Sequence, residues 1–212
     1  MYVPETFRVV DQSDALSLMA ANPFAILISN DGDGLMATHM PTLVKQDGEA
    51  IVIECHLARP NGHWKRLAAN PDAEPLMIFS GPHAYIRPGW YPSKAETGKV
   101  VPTWNYAAVH AYGRVQVIED GAWLLRHVTE LTAQQEHPYE LPWKPGDAPE
   151  QYIAAMLRGI VGIRFSVARI EAKAKLSQNR DAHDALGAAD GLDARGQADD
   201  RTIADMIRAT RS

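Results

Sequence analysis

The segment His56-Leu57-Ala58-Arg59-Pro60-Asn61-Gly62-His63-Trp64-Lys65 sets a strand end, a cationic side chain and a helix start within ten residues. A helix start offers unpaired backbone N–H groups and the positive end of its dipole, which suits an anion such as phosphate. Near the other end of the chain, Lys173-Ala174-Lys175-Leu176-Ser177-Gln178-Asn179-Arg180 gathers more donors at the exit of another strand. Trp104 adds an aromatic face for a ring system. Together these residues suit a planar ligand carrying a phosphate. Arg59 and the helix start would take the phosphate, Lys175 or Arg180 would reinforce it, and Asn61, Asn105 and Gln178 would meet hydroxyl and amide groups. Flavin mononucleotide (FMN) meets each requirement, and spacing alone does not separate it from pyridoxal phosphate.

Other chemistries find less support. The chain has no Walker loop, Rossmann glycine fingerprint, Gly-x-Ser-x-Gly elbow or His-Glu-x-x-His motif. Of its eight histidines, His39, His56, His83 and His110 each sit on a separate strand or strand end, a pattern of packing and ligand contacts, so no metal site is expected. His39, His56 and His110 are the first candidates for proton transfer. Cys55, the one cysteine, lies in the apolar run Ile51-Val52-Ile53-Glu54-Cys55 and reads as a buried, inert thiol.

The elements that must position these residues follow from pattern. Residues 13–21 read as a short helix ending before Asn22-Pro23. Strands at 24–29, 35–44 and 50–56, joined by turns at 30–34 and 46–49, make an antiparallel meander rather than a βαβ unit. A helix over 60–69 with Pro60 in its first turn comes next, then strands at 75–80 and 83–87 around Gly81-Pro82, a bulge, edge or break. In the strand 100–118 the odd positions are small or β-branched, as a tightly curved barrel interior requires. Its even positions carry Trp104, Tyr106, His110 and Tyr112 with no charge before Arg114, so a partner subunit or a planar ligand should cover that face too.

Two helical stripes, Leu124/Val128/Leu131 after an Asp120 cap and Ile153/Met156/Leu157/Ile160 after Asp147 and Pro149, read as core. The strand 163–176 changes its inward parity near Ala168-Arg169, which predicts a bulge and leaves Lys173 and Lys175 on the polar face. Residues 181–197 form a weak helix, since Gly187 and Gly191 each cost ~1 kcal/mol against alanine. A better helix spans 199–210.

The charge balance, 21 Lys+Arg against 26 Asp+Glu, opposes general attraction to nucleic acid. No window approaches the ~20 apolar residues of a membrane span, and with a lone cysteine the chain is expected in the cytoplasm.

Five motifs, in order over residues 1–180, resemble the PaiB family of FMN-binding negative transcriptional regulators. They are Met1-Tyr2-Val3-Pro4 with Phe7; His56-Leu57-Ala58-Arg59 with Asn61 and Trp64-Lys65; Phe79-Ser80-Gly81-Pro82-His83-Ala84-Tyr85-Ile86; Val101-Pro102-Thr103-Trp104-Asn105-Tyr106; and Lys175-Leu176-Ser177-Gln178-Asn179-Arg180. The resemblance implies a mainly β fold with flanking helices (α+β). This would be an antiparallel, FMN-binding split β-barrel related to the pyridoxamine phosphate oxidase group, over 1–180, with a helical appendage at 181–212. It implies a homodimer with flavin at the subunit interface.

By the same resemblance the cofactor-binding residues are Thr38, Met40, His56, Leu57, Ala58, Arg59, Asn61, Trp64, Lys65, Trp104, Asn105, Lys175, Gln178 and Arg180. The implied role is a flavin-dependent or redox-linked regulator acting indirectly, because residues 1–175 carry 16 basic and 19 acidic side chains and no basic recognition helix. Two alternatives stay open: an FMN-dependent reductase or oxidase taking hydride at flavin N5 from a nicotinamide donor, and a haem-handling or ligand-carrier protein on the same barrel. After residue 180 the chain departs from the family pattern, with the soft run Ala185-Leu186-Gly187-Ala188-Ala189 in place of a charged helix. The loop 89–99 reads as a variable loop and not as a lid.

Overall fold

Short apolar runs separated by turns produce six strands: β1 (Phe24–Asn30), β2 (Leu35–Asp47), β3 (Ala50–Ala58), β4 (Leu76–Ile86), β5 (Thr103–Ile118) and β6 (Ile160–Lys175). Among the described residues seven α-helices accompany them: α1 (Gln12–Ala21), α2 (His63–Ala69), α3 (Ser93–Thr97), α4 (Gly121–Glu136), α5 (Glu150–Arg158), α6 (Ala182–Arg195) and α7 (Asp200–Ala209). The computed structural model describes residues 1–30, 32 and 34–211. Asp31 and Asp33 of the expected 30–34 turn therefore lie outside the described residues. The strands bond in the order β1-β2-β3-β6-β5-β4 as a closed barrel. The β1–β2, β2–β3, β3–β6 and β1–β4 ladders are all antiparallel, as the meander requires.

The chain divides into two compact units, one of residues 19–79 and 110–170, the other of 1–18, 80–109 and 171–212. In the first unit, Ala25, Leu27, Ile53, Cys55, Leu57, Ile163 and Phe165 alternate along their strands to fill the barrel interior. Cys55 is fully buried, and burial pushes its thiol well above the usual range. Helix α4 covers the opposite face of β3, starting from Asp120, whose carboxylate accepts from the Trp123 N–H at 2.7 Å, the cap expected there.

The attachment of α4 is largely polar. Glu54 of β3 is buried, with its carboxylate bonded by both terminal nitrogens of Arg126 at 3.1 Å and by Lys45 Nζ at 2.7 Å, and with Arg164 at 3.7 Å. Lys45 and Arg126 also bind Glu130, one turn along α4. Burial pushes the Glu54 carboxyl up, but its bonds to Arg126 and Lys45 outweigh this and leave it below the ordinary value. One turn away, His127 Nε2 lies 3.0 Å from His56 Nδ1, and its ring stacks on Trp123. Burial lowers the pKa of both histidines, that of His127 to about 4. Gly162 makes room for this stack, since a Cβ there would lie 2.3 Å from the Trp123 ring.

The second stripe is not core. Helix α5 ends at Arg158, so Ile160 belongs to β6. Met156 is 51% exposed and no α5 residue is fully buried, although α5 packs against α4.

In the second unit the tail is better ordered than its glycines suggest. Asp181 caps α6 by accepting from the Asp184 N–H at 2.8 Å. Gly187 and Gly191 let the α6 backbone approach Pro92 and Trp90, where added Cβ atoms would meet the Trp90 carbonyl at 2.4 Å and its indole at 2.3 Å. Packing thus offsets the propensity cost. Ala185, Ala188, Leu192, Ile203 and Ile207 share one core with Ala84, Ile86, Tyr91 and Leu176. Within residues 89–99, Tyr91 and Trp90 pack into this core and Ser93 adds N–H and Oγ bonds to Asp184 at 3.0 and 2.7 Å, while residues 94–99 are exposed.

Two strand features follow the sequence pattern. In β6 the inward positions change from Val161, Ile163 and Phe165 to Ala172, with Ala168 and Arg169 both exposed between them. In β4 they change from Met77 and Phe79 to Ala84 and Ile86 across Gly81-Pro82, although the strand runs through without a break. Lys173 departs from expectation. It is buried among the Tyr2, Phe7 and Tyr106 rings, 5.2 to 6.0 Å from their centres, and donates to the Tyr2 carbonyl at 3.2 Å, so cation–π contacts replace water.

Two expected outcomes follow. Gly162→Ala should force the Trp123 indole aside and cost about 1–3 kcal/mol, lowering Tm by roughly 2–12 °C in a chain of this size; an unchanged melting curve would refute the close approach. The neutral His127 should contribute stability that is full above the ordinary histidine value of 6.5 and is lost as pH falls towards about 4, because the unfolded chain binds the proton first. Urea midpoints should therefore fall across that window and fall less steeply in His127→Gln; identical slopes would contradict the assignment.

Candidate functional site

Helix α2 is shorter than expected, seven residues starting at His63, with Pro60 outside it. A helix of under two turns carries little dipole, so side chains rather than the helix start define the chemistry here. On its inner side His63 and Leu67 are buried at i and i+4. The His63 imidazole reaches between two strands, with Nε2 2.9 Å from Ser29 Oγ of β1 and Nδ1 2.8 Å from Thr38 Oγ1 of β2. Ser29 and Thr38 both point inward because Leu27 pairs with Thr38 and Ser29 with Met36 in an inward-alternating ladder. Asn61 completes the cluster: its Oδ1 accepts from the His63 N–H at 3.0 Å and its Nδ2 donates to Thr38 Oγ1 at 3.3 Å.

Arg59 stands at the exit of β3 and holds the start of β6. Its Nε donates to the Arg158 carbonyl at 2.9 Å, Nη2 to the Ile160 carbonyl at 3.2 Å, and Nη1 to Glu119 at 2.5 Å. The Trp64 indole N–H donates back to the Arg59 carbonyl at 2.9 Å, and Lys65 Nζ lies 5.5 Å from the Trp64 ring centre. Met40 and Leu57 are buried in the barrel wall, His56 is paired with His127, and Ala58 is exposed at the strand end. The structure thus joins Thr38 to Asn61 directly, and Arg59 to Trp64 directly.

The remaining expected residues belong to the other unit. Asn105 is fully buried on β5; its Nδ2 donates to Ser177 Oγ at 2.9 Å, while its Oδ1 is buried with no hydrogen-bond partner. Ser177 has φ +63°, the left-handed region that a serine adopts at a cost of ~1–3 kcal/mol. Its carbonyl accepts from Arg211 at 2.6 Å and from the Arg180 N–H at 3.0 Å. Gln178 folds back on its own chain, accepting from the Leu176 N–H at 2.6 Å and donating to the Ala174 carbonyl at 2.7 Å. Lys175 Nζ binds Thr103 Oγ1 and, at 3.0 Å, the Trp104 carbonyl. Arg180 lies 4.7 Å from the Tyr91 ring centre and 3.9 Å from Asp184. Trp104, 53% exposed, sits beside Tyr85 and His83 with ring centres 5.9 and 6.0 Å apart.

Sequence reading missed the roles of His63, Ser29 and His127. His127 carries a detectable signal, since it falls three residues after Leu124 and four before Leu131 on the buried stripe. Ser29 and His63 are 34 residues apart and meet only through the β1–β2 register.

Residues 1–169 match the family model described as "Putative FMN-binding domain". Protease synthase and sporulation protein PAI 2 of Bacillus subtilis is 30% identical over 207 residues, covering 98% of this chain and 96% of that protein. Among solved structures, the conserved hypothetical protein Rv2991 from Mycobacterium tuberculosis aligns with a TM-score of 0.59 at 13% identity, covering 86% of this chain and 95% of that one. The FAD and heme binding protein from Mycobacterium smegmatis aligns with a TM-score of 0.57 at 13% identity, covering 85% and 79%. At such identities the structures speak for the fold alone. By the family model and the PAI 2 match, the chain belongs to the PaiB-type family of FMN-binding domains, with FMN as its cofactor and the split barrel as its fold.

Proposed function

We propose that the chain is a PaiB-type regulator that senses cellular state through bound FMN and acts without gripping DNA itself. The observation that carries the flavin reading is the Thr38–Asn61–His63 cluster, in which strand-borne Thr38 is held by the buried His63 imidazole and loop-borne Asn61 by the His63 backbone N–H. Such a rigid arrangement suits a phosphate oxygen better than mobile water. In the other unit, the buried, unmatched Asn105 Oδ1 is an acceptor of the kind that N–H and O–H donors such as those of flavin and its ribityl chain would fill. Lys65, Lys175, Gln178, Arg180 and Arg59 remain proposed contacts, and for Arg59 a phosphate would compete with Glu119.

FMN supplies a ring that accepts and returns electrons when bound; the protein's part is to hold, orient and shield it. The formal charge of −5 supports indirect regulation, since the net field of the chain opposes approach to a duplex. A homodimer, with a second copy over the half-exposed Trp104, Tyr106, His110 and Tyr112 face of β5, is part of the proposal, as is a cytoplasmic location.

The test is flavin binding followed by function. Added FMN should lose fluorescence on binding, and Thr38→Val, which removes one hydroxyl at nearly constant shape, should weaken binding about tenfold or more. A protein that leaves FMN fluorescence unchanged overturns the flavin reading. Anaerobic NADH or NADPH should bleach the bound flavin, later addition of oxygen as electron acceptor should restore its colour without sustained consumption of excess nicotinamide, and DNA should not be retarded in a gel at any salt concentration. Rapid turnover would instead assign the chain to the flavin oxidoreductases.

A further inference from the structure

His63 holds the most constrained hydrogen-bonding position among the residues of the cluster, and its proton decides what Thr38 can offer a ligand. The Asn61 amide is oriented by the chain itself: Oδ1 accepts the His63 backbone N–H, so the amino group faces Thr38 and Thr38 Oγ1 must accept there. A hydroxyl has one proton and two lone pairs. The remaining contact, Thr38 Oγ1 to His63 Nδ1 at 2.8 Å, can run either way. If Thr38 donates to Nδ1, its proton is consumed, Nε2–H donates to Ser29, and Thr38 shows an incoming anion only a lone pair. If Nδ1–H donates to Thr38, both lone pairs of Oγ1 are filled from within the protein and its O–H is released to point outward. Ser29, at 2.9 Å from Nε2, then donates its own proton to that nitrogen. Ser29 is itself buried, so the Ser29–His63 contact forms the back of this relay and not an activated nucleophile.

We infer that in the flavin-bound protein His63 carries a proton on Nδ1, and that this sets Thr38 as a donor towards the phosphate of FMN. His63 is thus a positioning residue acting through Thr38, and the inference rests on the flavin reading above. Ser29, His63 and Thr38 hold the same number of protons in both arrangements; passing between them moves the ring proton from Nε2 to Nδ1, with one proton released to solvent and one taken from it. The cluster selects acceptors over donors by the same means: with Thr38 locked as donor, a phosphate oxygen is matched, whereas a ligand presenting N–H or O–H at that point meets a proton.

The test uses the full chain labelled with ¹⁵N-histidine, in long-range ¹H–¹⁵N spectra with His63 assigned by its loss in a His63→Asn sample. FMN fluorescence is read on the same material. With FMN bound, the His63 Nδ1 should show the shift of a protonated nitrogen, either in the neutral ring or as imidazolium. Bound FMN with an unprotonated Nδ1 overturns the inference and leaves the flavin reading standing, whereas absent quenching takes down the flavin reading and this inference with it.

Variants give a second readout. An Asn side chain places its NH₂ near the Nδ1 position, while Gln reaches only towards Nε2. His63→Asn should therefore keep FMN affinity within about threefold, and His63→Gln should lose about as much as Thr38→Val, tenfold or more. Equal losses in two folded variants would mean the ring merely fills space, and would count against the inference. Should either variant fail to fold, the tautomer measured in the unaltered protein decides.

Discussion

A single buried carboxylate organises the unit built from residues 19–79 and 110–170. Taking Glu54 out of water costs several kcal/mol, which only close, well-directed cations can offset. Arg126 supplies two parallel bonds, Lys45 a third, and Arg164 stands behind them. Because Arg126 comes from α4 and Glu54 from β3, this pairing fixes the register of helix against strand. His127 is then brought to His56, Trp123 to the space above Gly162, and Glu130 to Lys45. Replacing Arg126 would take two bonds from the buried Glu54 carboxylate and leave Lys45 as its bonded cation, whereas the exposed ion pairs elsewhere, such as Arg114 with Asp72, contribute little.

The strands were legible because their patterns are local. Apolar runs at 24–29 and 50–56, the turn residues that bound them, and the small odd positions of β5 each report a physical constraint within a few residues. Even the parity change in β6 could be read, since a face that switches sides must break its ladder's regularity. What could not be read depended on partners far away in sequence. Gly187 and Gly191 look like helix breakers until Trp90, about a hundred residues earlier, fills the space they leave. Lys173 looks solvated until the Tyr2, Phe7 and Tyr106 rings surround it. The stripe of α5 looks like core because amphipathicity shows that a helix has an apolar face, not that something covers it.

The site shows the same division. Residue types at 56–65 and 173–180 point to an anionic ligand, and the motif order points to flavin, but neither shows which side chains are occupied structurally. Gln178 spends both ends of its amide on its own backbone, and Arg59 spends three donors on carbonyls and Glu119. Both therefore hold the chain's own structure as well as standing among the proposed contacts. Conversely, His63 carries no distinguishing spacing, yet it is the group through which Ser29, Thr38 and Asn61 are joined.

Cys55, sealed in the barrel wall with its thiol held protonated by burial, makes the chain its own clock for opening. A disulfide reagent cannot reach the sulfur while β3 is paired on both sides with β2 and β6, so each labelling event records a moment when that wall has parted. No introduced probe is needed, and no second thiol exists to blur the signal. Flavin binding, by favouring the closed barrel, would register as a slower tick of the same sulfur.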